Sequence, residues 1–123
     1  MFQSRFTRRI APYVHHELTK AKSARLEAKF QDEFAHLERA HVLGQESTRW
    51  HVLTHIEMAK WAYRHHHTHE LLGQLFRIVG AATKTALGLV PAGNTGGANV
   101  SPFKVMPVSP DLRILIDQAK CDA

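Results

Sequence analysis

The sequence predicts an all-α protein with a core of four helices, and three observations support this fold class. Residues 1–90 contain one proline and four glycines, whereas residues 91–110 contain four prolines and three glycines. Apolar residues in the first region recur at helical spacing. Residues typical of helix starts and stops divide that region into four segments of helical length. We therefore expect four helices followed by a long Gly/Pro-rich loop and a short last helix.

The first two helices follow from their start and stop residues. Pro12 is suited to a first helical turn, because its missing N–H has no intrahelical partner there, and the helix can run to about Ala28. Asp32 can cap a second helix. Gly44 is suited to the position after its last turn, which predicts an end near residue 44.

The next two helices are predicted in the same way. Ser47 or Thr48 can cap a third helix that runs to about Arg64. Thr68 can cap a fourth helix that runs to about Leu87. Because the connections between the four helices are only a few residues long, neighbours should pack antiparallel. The result is either a four-helix antiparallel bundle or a pair of tetratricopeptide-like helical hairpins.

The length of 123 residues predicts a single domain over 1–123. Its helical core should span about 12–88 and its strap-like loop 91–109. Ser109 before Pro110 predicts the start of a short helix over about 110–119.

Composition restricts the function classes. The net charge of +5 permits an acidic partner, but the basic residues are scattered and no aromatics alternate with them, which disfavours nucleic acid. No segment has the length of apolar residues that a membrane span needs, and we expect a cytoplasmic protein without a membrane role. The lone Cys121 excludes an internal disulfide and a thiolate-rich metal site. Any metal ligands must therefore be histidine and carboxylate.

Helical projection places ionisable residues among the predicted core positions of the first two helices. On the second helix, His41 shares the apolar face of Phe30, Phe34 and Leu37, and Glu38 lies beside it, while His36 points away. On the first helix, Glu17 falls within the inward row of Tyr13, Ala21, Ala24 and Ala28. A carboxylate in this position requires a partner.

The third and fourth helices show the same pattern. His51 and His55 lie one turn apart on one flank of the third helix, beside a predicted core stripe of Val52, Leu53, Ile56, Ala59 and Tyr63. On the fourth helix, a polar edge borders the predicted inward residues Leu71, Leu75, Ile78, Val79 and Ala82. This edge consists of Glu70, Gln74 and Arg77.

Two interpretations of these interior groups remain open. In the first, Glu38, His41, His51 and His55 bind a divalent ion such as zinc, iron or manganese, and Glu17 or Glu70 completes the set. In the second, the same groups satisfy one another without a metal, with Glu17 accepting from His41 or Glu70 pairing with Arg77. The spacing of His51 and His55 lacks the glutamate of the HExxH motif, so a zincin-type protease is not indicated.

Two segments are assigned less specific roles. The tract "HHHTH", at His65–His67 and His69, falls in the predicted turn between the third and fourth helices and is interpreted as a solvated loop. The loop "VPAGNTGGANVSPFKVMPVSPDL" is longer than most connections in compact domains, so we expect it to have a structural or functional role. Its glycines allow positive φ and close backbone approach. We favour a strap that packs Val100, Phe103 and Met106 on the helices over an anion cradle built from its amides.

The motifs "LERAHVLGQ", "HVLTH", "GQLFRIVGAATKT" and "VPAGNTGGANVSPFKVMP" together resemble a bacterial family, domain of unknown function 3703. The resemblance extends from His15 to Leu112. It implies a short helical protein linked to heavy-metal efflux and metal-responsive regulation, with no established activity. It also implies that a set of polar residues and the GNTGG loop occupy family-motif positions, namely Glu38, His41, Gln45, His51, His55, Glu70, Gln74 and Arg77. The "HHHTH" tract departs from the family pattern.

Two functional hypotheses follow. The first is a metal-binding helical protein, with Gln45, Gln74 and Arg77 supporting the ligands and a role in metal homeostasis. The second is a tetratricopeptide-like interaction or regulatory module whose interior polar groups only fix the packing. Such a module would have a protein partner or form homo-oligomers. An enzyme ranks third, because no water-activating residue can be assigned.

Overall fold

A computed structural model of the chain describes residues 2–84, 91–101 and 104–121. These ranges contain five helices and no strand: α1 (Phe2–Leu26), α2 (Phe30–Gly44), α3 (Thr48–Arg64), α4 (Thr68–Lys84) and α5 (Pro110–Lys120). The predicted all-α class is confirmed. Within the same ranges, no helix combines the length and apolar character needed to cross a bilayer.

Most helix boundaries agree with the sequence signals. Ser47 caps α3, because its Oγ accepts a hydrogen bond from the backbone N–H of Trp50 at 3.4 Å. The start of α4 at Thr68 and the start of α5 at Pro110 are also as predicted. However, α2 begins at Phe30, ahead of the predicted cap Asp32, and its flanking residue Lys29 makes no side-chain cap. The predicted end of the fourth helix at Leu87 lies outside the described residues.

The prediction that the first helix begins at Pro12 is wrong, because α1 begins ten residues earlier. Pro12 lies on an exposed side of the helix, where water can solvate the carbonyl that loses its helical partner. The early turns form because Phe6, Ile10 and Val14, spaced four residues apart, are all buried. They join a core cluster with α5, through Leu112, Ile116 and Ala119. Burial of this stripe outweighs the helix-start signal of the proline.

The helices pack as consecutive antiparallel hairpins. α1 packs on α2, α3 packs on α4, and α2 joins the two pairs by packing on α3. In the part of the chain that the structure describes, α1 and α4 make no contact, whereas a closed four-helix ring brings the first and last helices together. The four helices therefore pack as two hairpins, joined mainly through α2 and α3. The last helix, α5, lies against α1 and α2.

The predicted inward faces of α3 and α4 are wrong by part of a turn. On α3, Ile56 and Tyr63 are exposed and the histidine flank is buried instead. On α4, Leu75 and Val79 are 50% and 68% exposed, whereas Gln74 is completely buried. The physical reason is that the polar edge of α4 finds hydrogen-bond partners on α3 and in the segment 91–101, as described below. The rotation leaves much of the apolar side of α4 exposed.

Candidate metal centre

Three histidines converge in the interior between α2 and α3. His41 comes from the last turns of α2, and His51 and His55 come from successive turns of α3. All three side chains are buried, and one ring nitrogen of each lies within 4.8 Å of the others. The closest pair is His41 Nε2 and His55 Nε2, which lie 3.2 Å apart. Two turns of one helix and one turn of its neighbour thus bring three imidazoles to one point.

The tautomer of His41 is fixed by the backbone. Its Nδ1 lies 2.8 Å from the carbonyl oxygen of Asn94, which can only accept, so Nδ1 carries the proton and donates. Burial lowers the pKa of His41 well below its usual range, and the neighbouring His55 and His51 lower it further. His41 is therefore neutral, and its Nε2 presents a lone pair to His55.

The tautomer of His55 is fixed by Gln74 on α4. The Gln74 side-chain nitrogen donates to the carbonyl oxygen of Gly96 at 2.8 Å and to Glu70 Oε2 at 2.6 Å. Because a carbonyl can only accept, the Gln74 amide has one possible orientation, with Oε1 facing His55 Nδ1 at 2.6 Å. Nδ1 of His55 must therefore donate. Burial lowers the pKa of His55 to about 4, so its Nε2 also carries a lone pair.

Two unprotonated Nε2 atoms thus face each other at 3.2 Å, with no hydrogen between them. This contact is repulsive unless a cation lies next to both lone pairs. Two imidazole nitrogens bound to one tetrahedral ion at about 2.0–2.1 Å stand about 3.3 Å apart, close to the observed separation. Donation of the other ring nitrogen to a carbonyl or amide oxygen is the usual way in which proteins orient histidine ligands. The arrangement can therefore hold a divalent metal ion.

The segment 91–101 covers the centre and contacts both α2 and α4. Asn94 is buried, and its side-chain nitrogen donates to the carbonyl oxygens of Ser101 and Lys104 at 2.8 Å each. Its Oδ1 accepts from the N–H of Gly96 at 2.9 Å. These bonds hold the Asn94 carbonyl over His41. Gly96 has φ +88°, and a Cβ there would lie 2.7–2.9 Å from atoms of the His41 ring. The predicted close backbone approach of this loop is thus made to a histidine.

Several of the loop amides have partners within the protein. The Gly96 N–H binds Asn94, and the Ala98 N–H donates to Glu70 Oε2 at 2.8 Å. Val100 and Met106 of the predicted strap are half-buried, and Phe103 lies outside the described residues. The side chain of Arg77 donates to the Val100 carbonyl at 2.6 Å. The segment is therefore fastened to α4 by Glu70, Gln74 and Arg77, the residues of its polar edge.

The structure does not bring the predicted carboxylates into the histidine group. Glu17 is buried as predicted, but its carboxylate accepts from His36 Nδ1 at 2.9 Å and from Arg39 Nε at 3.2 Å. His36 therefore faces α1. Glu70 contacts the centre through Gln74. Glu38 is half-buried, and burial together with the charge of Glu70 raises its pKa, while a bond from Thr95 opposes this rise.

A cavity of about 370 Å³ adjoins the three histidines. Gln45 and Arg77, predicted to support the site, both line it. Its other walls come from α4 and the loop and are largely apolar, with Phe76, Val79, Ala81 and Pro91. The centre therefore has one side packed against helices and loop and another side open to a pocket.

Sequence reasoning missed the roles of Asn94 and Gly96 at this centre. Both residues act through their backbone carbonyls, which accept hydrogen bonds from His41 and Gln74. Every residue has a backbone carbonyl, so the sequence does not indicate which one orients a histidine. The available signal was the GNTGG motif, because a glycine at positive φ permits close approach. The "HHHTH" tract lies in the predicted turn, since His65–His67 connect α3 and α4 and His69 lies in the first turn of α4. The expectation that the whole tract is solvated is wrong for His65, which is half-buried and packs against Phe30 and Trp61.

The comparison with protein families is consistent with the resemblance in the motifs. The family model described as "Protein of unknown function (DUF3703)" matches residues 8–116. The chain belongs to this family. No curated protein and no solved structure matches the chain. The matched region includes every residue of the histidine centre and the loop that covers it, but the family description names no activity.

Proposed function

We propose that this protein binds a divalent metal ion through His41, His51 and His55. The observation that supports the proposal is the contact between His41 Nε2 and His55 Nε2 at 3.2 Å, in which both nitrogens carry lone pairs. A metal ion between them turns this repulsion into two bonds. The hydrogen bonds that His41 Nδ1 donates to the Asn94 carbonyl and His55 Nδ1 donates to Gln74 Oε1 hold the rings in the tautomers that a metal requires.

The donor set favours zinc or ferrous iron. Neutral imidazole suits both ions, whereas manganese prefers oxygen ligands, and the carboxylates of Glu38 and Glu70 lie outside the three-histidine group. Three protein ligands leave further coordination positions open, as in metal sites that bind an exogenous ligand. A role in metal homeostasis, as the family resemblance implies, agrees with such a centre.

Metal titration of the untagged, chelator-treated protein tests the proposal. We expect zinc or ferrous iron to bind in a 1:1 ratio with a dissociation constant below micromolar and to raise the melting temperature, because only the folded state offers the site. The variant His41→Leu combined with His55→Leu should abolish both effects. Retention of tight binding by this variant would refute the assignment.

The exposed histidines supply a matched control. His66, His67 and His69 are exposed and lie in or beside the turn before α4. Their combined replacement by alanine removes three exposed imidazoles, as many as the centre contains. Among the described ring pairs, their one contact with the core is that of the His67 ring with Trp61. We expect this variant to keep the tight site. If it instead loses the binding, the metal is held by the surface tract and the proposal is wrong.

The hairpin packing favours a second candidate, a tetratricopeptide-like interaction module in which the interior polar groups only fix the packing. Under this alternative, the melting temperature is indifferent to chelator and to added metal. The same titration therefore separates the two candidates.

A further inference from the structure

The cavity beside the three histidines is lined by both polar and apolar residues. The polar lining consists of the imidazoles together with Gln45, Asn94 and Arg77. The apolar lining consists of Phe76, Val79, Gly80, Ala81 and Pro91, of which Phe76 and Val79 are largely exposed. The volume of about 370 Å³ is in the lower part of the range for small-molecule sites. The volume and the mixed lining therefore suit a small ligand with one polar end and a short apolar body.

The charges of the polar lining specify the sign of that ligand. Arg77 lines the cavity together with His41 and His55. Its Nη2 donates to the Val100 carbonyl, but its buried Nε has no hydrogen-bond partner among the described residues. A divalent ion on the histidines adds two positive charges beside this arginine. The polar lining then attracts an anion more strongly than a neutral group.

We propose that the open side of the metal centre binds a small monocarboxylate with an apolar chain. The carboxylate would bind the metal and receive hydrogen bonds from Arg77, and the chain would lie along Val79 and Phe76. This inference rests on the proposed metal site. A carboxylate fits better than a neutral alcohol because it neutralises charge. A longer chain fits better than a short one because it can contact more of the apolar lining.

The test uses the full chain saturated with cobalt(II), whose visible spectrum reports changes in coordination. The probes are hexanoate, acetate and hexan-1-ol, which separate the contribution of the charge from that of the chain. Hexanoate should bind more than about tenfold tighter than acetate, since burial of two of its four extra methylene groups is enough for that ratio. It should also bind more than tenfold tighter than hexan-1-ol. Equal affinities within either pair would overturn the inference.

Variants on α4 locate the two ends of the ligand. Arg77→Gln should lower the ratio of hexanoate affinity to hexan-1-ol affinity about tenfold, and Arg77→Lys should recover part of this ratio because it restores the charge. Val79→Thr, which keeps the side-chain shape, should weaken hexanoate several-fold without affecting acetate. Leu72→Thr is the control, because Leu72 is exposed on the same helix and does not line the cavity. If Leu72→Thr and Val79→Thr behave alike, the chain does not lie in this cavity.

The outcomes distinguish the two proposals. If cobalt itself does not bind, the metal site fails and this inference fails with it. If cobalt binds at the histidines but hexanoate leaves its spectrum unchanged at millimolar concentration, the metal site stands and only the carboxylate site is refuted.

Discussion

Replacement of Gly96 by alanine should damage both the fold and the metal centre. The residue has φ +88°, a conformation that costs an alanine about 1–2 kcal/mol. The new Cβ would also lie 2.7 Å from Cδ2 and 2.9 Å from Nε2 of the His41 ring. His41 is 2% exposed and cannot turn away without losing its bond to the Asn94 carbonyl, so crowding should cost about 1–3 kcal/mol more. We expect the free energy of unfolding to fall by about 2–5 kcal/mol.

Gly97 provides the matched control in the same loop. Its φ is not in the left-handed region, and a Cβ there would meet Asn99 Oδ1, at the end of an exposed side chain that can move. Gly97→Ala should therefore cost less than about 1 kcal/mol. Denaturant unfolding of the metal-free proteins measures both values, and metal competition titration should show weaker binding only in Gly96→Ala. If the two variants have equal stability and equal metal affinity, the loop does not position His41.

Three further predictions concern ionisable groups. Because the pKa of His55 is about 4 in the folded state and about 6.5 in the unfolded state, the unfolded chain binds more protons between these values. The His55 imidazole should therefore contribute a loss of about 2 kcal/mol between pH 7.5 and pH 5, measured by denaturant unfolding of the metal-free protein. His41, whose pKa is also lowered, adds to this loss, so His55→Leu should remove only the His55 share. Glu17→Gln should cost about 1–3 kcal/mol, and its effect should add to that of His41→Leu within about 0.5 kcal/mol in unfolding experiments, because the two side chains are not partners. Glu38→Gln should raise the melting temperature of the metal-free protein, since it removes repulsion from Glu70; a lower value would contradict this.

The sequence was sufficient to predict the helical class and most helix boundaries. Capping residues and breakers are local signals, and they located the starts of α3, α4 and α5. The start of α1 was missed because Pro12 is a local signal too, whereas the burial of Phe6, Ile10 and Val14 depends on α5, about a hundred residues later in the chain. Tertiary contacts overrode the local preference in this case.

The faces of α3 and α4 could not be predicted from periodicity alone. Hydrophobic projection places Leu75 and Val79 inside, but the structure buries Gln74 because its amide joins His55 to Glu70 and Gly96. A polar side chain can lie in the core when each of its polar atoms has a hydrogen-bond partner. Hydropathy depends only on residue type and contains no information about such partners. The same limitation explains Glu17, whose burial was predicted but whose partners on α2 were not.

The construction of the centre also suggests why a helical protein of this size retains a long irregular segment. A helix packed over α2 and α4 would have used its carbonyls in its own hydrogen bonds, leaving none for His41 Nδ1 or for Gln74. The loop instead supplies free carbonyls at Asn94 and Gly96, and the side chain of Asn94 fixes both by bonding within the loop. These two carbonyls determine which nitrogens of His41 and His55 carry protons. The irregular segment therefore sets the protonation pattern that makes the histidine cluster suitable for a metal ion.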